Sequence, residues 1–131
     1  MDCRSYSPDD YDMLSQWWKG HDFPVAVDIG ALPLTGLIIE EGDVALCAGW
    51  LYLSNSSIAW IGFVVGNPEI KAKSMYIAIK ELMSGLVELA HESGFSIIYA
   101  NFNKKGLLKP LADIGFLEAG KDYTEMIYKR R

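Results

Sequence analysis

The residues of this chain whose types and spacing could do chemistry are few, and most are cations set at two expected helix starts. Lys71 and Lys73 stand where the loop Gly66-Asn67-Pro68-Glu69-Ile70-Lys71 gives way to a long amphipathic pattern, and Lys104, Lys105 and Lys109 stand at the start of a shorter one. A helix start presents unpaired backbone N–H groups and the positive end of the helix dipole, so lysines there read as a pocket for a small phosphorylated ligand. Ordinary solvated helix-end lysines are the plain alternative. His21 and Asp22 open an irregular segment, and histidine is the side chain most readily tuned to proton transfer, although a surface place is the simpler account. His91 is the only other histidine, so spacing assembles no metal cluster. Cys47 lies in an apolar run and reads as core, Cys3 as a strand residue, and two cysteines make no disulfide framework.

The elements that must position these residues centre on 58–100. Residues 58–65, Ile-Ala-Trp-Ile-Gly-Phe-Val-Val, are apolar at odd and even positions alike, which predicts a central strand covered on both faces. From 73 to 92, Met75, Ala78, Ile79, Leu82, Leu86, Leu89 and Ala90 recur at helical spacing, and Gly94 is the stop signal. Residues 95–100 start another strand, so 58–100 reads as a βαβ crossover whose loop points N–H groups outward. Upstream, Asp2 to Tyr6 form a short strand. Ser7-Pro8-Asp9-Asp10 then predicts a helix start, with Ser7 as N-cap and Pro8 at the first helical position. That helix carries Tyr11, Leu14 and Trp18 on one stripe, with Trp17 expected at its edge. Residues 21–33 read as a loop with at most a helical turn. Strands at 36–40 and 44–53 make an antiparallel meander into the crossover, the second of them apolar on both faces. A short helix over 104–114 and two closing strands, 116–119 and 124–128, complete the expectation. Trp50 and Trp60 are read as packing against helices.

The bulk numbers predict one domain, 1–131, with no linker to divide it. Half the residues are hydrophobic and 22% charged, so the chain is globular. A net charge of −5 argues against a general nucleic-acid binder. The charge is uneven: residues 1–43 carry nine acids against Arg4 and Lys19, whereas 44–131 carry ten bases against eight acids. No apolar run approaches a membrane helix, and the first residues lack the order of a secretory signal, so a soluble, cytoplasmic protein is expected.

The order β-α-(loop)-β-β-β-α-β-α-β-β resembles the GCN5-related N-acetyltransferase (GNAT) superfamily over nearly the whole chain. Residues Pro68-Glu69-Ile70-Lys71-Ala72-Lys73-Ser74-Met75-Tyr76 lie where the family has a loop of the type Pro-Glu-x-Arg-x-x-Gly-x-Gly, and Leu111-Ala112-Asp113-Ile114-Gly115-Phe116 looks like its helix ending in Gly-Phe. Residues 48–53 through Ala59-Trp60 also look like small phage and prophage proteins of this type. The resemblance implies an α/β (α+β) fold with a mixed, mostly antiparallel sheet of about six to seven strands flanked by helices. It implies acetyl-CoA as co-substrate, with its pyrophosphate on Lys71, Ala72, Lys73, Ser74, Met75 and Tyr76, its pantetheine arm on the backbone of Phe63, Val64 and Val65, and Asn103 completing the set. The acceptor would be a small-molecule or peptide amine entering near the first helix, and a homodimer would be compatible. Lys71 replaces the family's Arg or Gln, keeping charge but not the fork geometry. Ser74 and Tyr76 replace its two glycines, and Tyr76 is large enough to crowd a pyrophosphate. Leu111 stands where a tyrosine acid is frequent, and only Trp60 and Gly62 lie near the usual acidic base, so no catalytic residue is named.

Two readings follow: an acetyl-CoA-dependent N-acetyltransferase with an atypical pyrophosphate loop, or a GNAT-fold binding or regulatory module without chemistry. A different nucleotide or acyl donor in a remodelled pocket is a third. The acidic first third would favour a cationic acceptor.

Overall fold

The computed structural model describes residues 1–23, 27–102 and 107–130. Five strands form one sheet in the order β1 (Asp2–Ser5), β2 (Gly36–Glu41), β3 (Val44–Tyr52), β4 (Ile58–Gly66), β5 (Ile97–Ala100). The first four run antiparallel to their neighbours, and β5 lies parallel to β4. A parallel pair needs a crossover, and α2 (Ala72–Glu92) supplies it. α2 buries Ala78, Ile79, Leu82, Met83, Leu86 and Ala90, the expected stripe, onto one face of the sheet with Cys47, Leu51, Ala59 and Ile61. Gly94, at φ +89, adopts the left-handed conformation that ends this helix cheaply.

The opposite face is covered by α1 (Tyr11–Gly20). Its entry is a 3-10 turn, Pro8–Asp10, in which Ser7 accepts from Asp9 N and Asp10 accepts from Ser7 N, a complete capping box. Arg4 donates to both oxygens of Asp10 and pairs with Glu40, which ties this entry to β1 and β2. Leu14, Trp17 and Trp18 pack with Trp50, Ile38, Ala48 and Val65. Trp17 is therefore core, not edge. Val27 and Leu32 join the same cluster, so the helix is covered on more than its sheet side and buries a wider stripe.

Three further expectations are corrected. β3 is buried on both faces as expected, but β4 is not: Trp60 is 42% exposed, because α1 covers only the β2–β3 region and the far end of β4. The sheet has five strands among the described residues, not six to seven. Residues 116–130 carry no strand, and Leu117, Tyr123, Met126, Ile127 and Tyr128 are exposed. The short helix α3 spans Leu108–Asp113, with Pro110 buried in its first turn, where a missing N–H costs nothing. No helix among the described residues is long and apolar enough to cross a membrane.

Candidate functional site

The site begins with a defect in β4. Ala48 pairs with Val65 and Trp50 with Gly62, so Gly49 alone stands opposite Phe63 and Val64. Two residues against one is a β-bulge, and Phe63 absorbs it at φ +56. A bulky residue there is a backbone outlier costing about 1–3 kcal/mol. The bulge breaks the alternation of the strand: Ala59, Ile61 and Val64 face α2, whereas Phe63 and Val65 pack on the α1 side. Gly49 admits this because a Cβ there would lie 3.1 Å from Val64 and 3.2 Å from Leu82 and Leu86. The ladder with β5 ends at Ile61–Ala100, five residues before β4 does. Phe63, Val64 and Val65 thus lie on a kinked strand running beyond its parallel neighbour.

From Gly66 the chain enters a loop held on three sides. Asn67 donates from its backbone to Leu46 O at 2.8 Å and from Nδ2 to Ala45 O at 3.0 Å, while its Oδ1 accepts from Glu69 N. His21 Nε2 donates to Gly66 O at 2.8 Å. Gly20, at the end of α1, meets Pro68 so closely that a Cβ would lie 2.7 Å from the ring. His21 is thus a brace for the loop, held at the end of α1 by the bonds of its backbone N–H to Trp17 O and Trp18 O. The bracing roles of Asn67 and His21 were not legible in the sequence, which offered His21 only for proton transfer or a surface place and Asn67 only as part of the loop. The Gly-Asn-Pro signal could have marked the first, but nothing local marks the second.

The loop delivers the start of α2. Its first helical bond runs from Met75 N to Lys71 O, so the N–H groups of Ala72, Lys73 and Ser74 have no intrahelical partner, and Lys71 makes no side-chain cap. Lys71 and Lys73 are exposed beside them. Met75 folds back over Gly66, where a Cβ would lie 2.7 Å from its Cε. The structure therefore gathers Lys71, Ala72, Lys73, Ser74 and Met75 at one anion-attracting end of a 21-residue helix. Tyr76 does not crowd them. Its hydroxyl donates to Asp113 on α3, and that bond holds the Asp113 carboxyl below the usual range and pushes the Tyr76 phenol up; Lys109 and Lys80 also lower Asp113. Lys109 is thereby engaged with Asp113, while Asn103, Lys104 and Lys105 lie outside the described residues. Leu111 is 5% exposed, packed into the α2 core.

On the α1 side, Tyr11 and Tyr52 donate to the carbonyls of Val27 and Ala31, which pins the segment after α1 over the sheet. Burial pushes the Tyr52 phenol up to about 12, so this hydroxyl is a fixed donor to a carbonyl and not an exchangeable acid near neutrality. No group of three or more potential metal ligands occurs among the described residues.

No family model matches the chain, and no curated protein is similar to it in sequence. Solved structures are similar to it in three dimensions. A Mycobacterium tuberculosis protein in complex with CoA superposes with a TM-score of 0.74 at 14% identity, covering 95% of this chain and 76% of that one. A Salmonella typhimurium protein, in a structure with its cofactor acetyl-CoA, gives 0.70 at 15% identity over 88% and 79%. An N-acetyltransferase from Staphylococcus aureus gives 0.70 at 12% identity over 91% and 84%. At such identities the likeness is one of fold, and it holds across these three proteins.

Proposed function

We propose that the chain is an N-acetyltransferase that uses acetyl-CoA and modifies a primary amine. The observation that carries this reading is the strained bulge at Phe63, in a strand that runs past β5 and leads straight to the open start of α2. Strain held in place by surrounding packing marks a site where backbone direction matters. Structures of the same fold contain CoA or acetyl-CoA.

The residues present fit the donor. The N–H groups of Ala72, Lys73 and Ser74, with the ammonium groups of Lys71 and Lys73, would hold the pyrophosphate. The backbone of Phe63, Val64 and Val65 would hold the pantetheine arm as an added strand, and Asn103 would add a further contact. When bound, acetyl-CoA supplies an activated acyl group. A backbone N–H at the bulge would polarise a carbonyl placed beside it, and the braced loop would give proximity. The amine would have to arrive neutral; as its N–C bond forms and the C–S bond breaks, the amine would give its proton to water, and, because Leu111 has no proton to give, the departing CoA thiolate would take one from water.

Calorimetric titration with acetyl-CoA tests this reading. Wild-type protein should bind, and Lys71→Ala/Lys73→Ala should bind at least about tenfold more weakly, since each phosphate contact by a lysine is charge-assisted. No heat and no thermal stabilisation at millimolar acetyl-CoA would refute it. A second reading, a binding module of this fold without chemistry, is favoured by one observation, the burial of Leu111 where a proton donor would stand. A folded chain with no affinity for acetyl-CoA would select it.

A further inference from the structure

On the α1 side of the sheet a row of rings is left beyond the reach of α1. Tyr52 pairs with Trp60 and Trp60 with Tyr99 across β3, β4 and β5, and the last two are stacked, with centroids 5.3 Å apart and planes at 20°. Ile58 and Ile97 form the next row on the same face, and Trp60, Tyr99 and Ile97 are 42–49% exposed. After α3 the chain holds a second open apolar set: Leu117, Tyr123, Met126, Ile127 and Tyr128 are 68–91% exposed. Each of these surfaces is unfavourable in water, and each is of the kind that would cover the other.

One ion pair ties the two together. Lys129 Nζ lies 2.8 Å from the Asp28 carboxylate. Ala31 N donates to Asp28 O, closing the turn Ile29–Ala31, and the Tyr52 hydroxyl donates to Ala31 O at 2.7 Å. Asp28 therefore stands at the Tyr52 end of the ring row, and Lys129 with it. The start of the segment is held on the opposite face, where Leu111 of α3 packs into the α2 core and Asp113 accepts from Tyr76. Between these points the chain turns at Gly120–Tyr123, with Asp122 at φ +63 and the Tyr123 ring over Gly120. The row crosses three strands, about 10 Å at the spacing of a sheet. Residues 124–128, extended, reach roughly 16 Å, so they can span the row while Lys129 stays on Asp28.

We propose that residues 123–128 are a strap that closes over Tyr52, Trp60 and Tyr99, hinged on the Lys129–Asp28 pair, and that the structure holds its open arrangement. The occupant of the face is this chain's own segment, because the fastening joins two residues of one chain beside the row. With both ends held, closing orders only a short loop. The Phe63 ring lies 6.3 Å from that of Tyr52, so the closed strap also controls access to the bulge from this side. The inference stands apart from the acetyltransferase reading.

The test uses the whole chain and reads Trp60, because Trp17, Trp18 and Trp50 are buried and Trp60 is not. Acrylamide quenching of tryptophan emission is measured for the wild type, for Met126→Ser/Tyr128→Ser, and for Trp60→Phe, which reports the three buried indoles alone. The expected result is wild-type quenching close to that of Trp60→Phe at every protein concentration, raised by the serine pair. Met126 and Tyr128 belong to neither core cluster, so the serine pair leaves the fold intact. Asp28→Lys and Lys129→Asp should each lower the ratio of closed to open strap by up to about fivefold, as much as an exposed ion pair supplies, and the two together should restore it. Wild-type quenching equal to that of the serine pair overturns the proposal. Protection that fades on dilution assigns the row to a second copy and also overturns it. So does a charge exchange that fails to restore protection.

Discussion

Gly20→Ala tests whether the loop before α2 is braced from outside. Gly20 is the last residue of α1, and replacing glycine by alanine in a helix ordinarily gains up to about 1 kcal/mol. Here the new Cβ would lie 2.7 Å from Pro68 Cγ and 3.5 Å from Pro68 Cβ, against the 3.5–4.0 Å of an ordinary carbon contact, roughly 1 Å too close. The ring cannot rotate aside as a long side chain would, and Asn67 before it is bonded to Ala45 and Leu46. Overpacking of this kind costs about 1–3 kcal/mol. The two terms leave a net loss of about 1 kcal/mol, or roughly 4 °C in Tm for a domain of this size. Because the loop must shift, acetyl-CoA affinity should fall with it. Differential scanning calorimetry and donor titration on Gly20→Ala read both effects, with Gly30→Ala as the control, since nothing lies within 4 Å of a Cβ there. A Tm raised by about 4 °C with unchanged donor affinity would refute the bracing argument.

Three other outcomes follow from the same structure. Asn67→Ala removes two part-buried or turn-forming hydrogen bonds, to Ala45 O and from Glu69 N, and should cost about 1–2 kcal/mol by urea unfolding while weakening donor binding. The hydrogen bond from Arg4 holds Asp10 below the usual carboxylate range, so its contribution is complete above the unfolded value near 3.9 and is lost as pH falls through the folded one. Stability measured from pH 5 to pH 2 should therefore fall less steeply in Asp10→Asn; an unchanged slope would remove Asp10 from acid unfolding. Burial pushes the Cys47 thiol up to about 12, while Cys3 is at the surface, so a thiol reagent at pH 8 should label one cysteine in the native protein and two in denaturant. Rapid native labelling of both would contradict the β3 core.

The elements framing the site were legible because their signals are local. Ser7-Pro8-Asp9-Asp10 marks a helix start through bonds within three residues, and the stripe from Ala78 to Ala90 repeats with the helical turn. Gly66-Asn67-Pro68 marks the loop, and Lys71 to Met75 fall at the helix start where their spacing put them. The expectation failed where an apolar run had to be divided between two faces. Ile58 to Gly66 reads as uniformly apolar, yet Ala59 is core and Trp60 is open to solvent, because what covers a strand is decided by elements distant in sequence. Trp17 shows the converse, buried because Val27 and Leu32 lie in its cluster. The closing strands were expected from strand-like composition in 116–119 and 124–128, but a strand exists only where a ladder partner takes its hydrogen bonds, and composition names no partner.

Taken alone, the sequence determined the crossover, its loop and the cationic helix start, since periodicity, capping and turn chemistry act over a few neighbouring residues. Only the tertiary structure decided the bulge at Phe63, the turning of Tyr76 toward Asp113 and the row Tyr52, Trp60 and Tyr99. Each depends on register between chain segments about ten to forty residues apart. One residue of β3 set against two of β4 redirects every side chain beyond it, and no local pattern records that count.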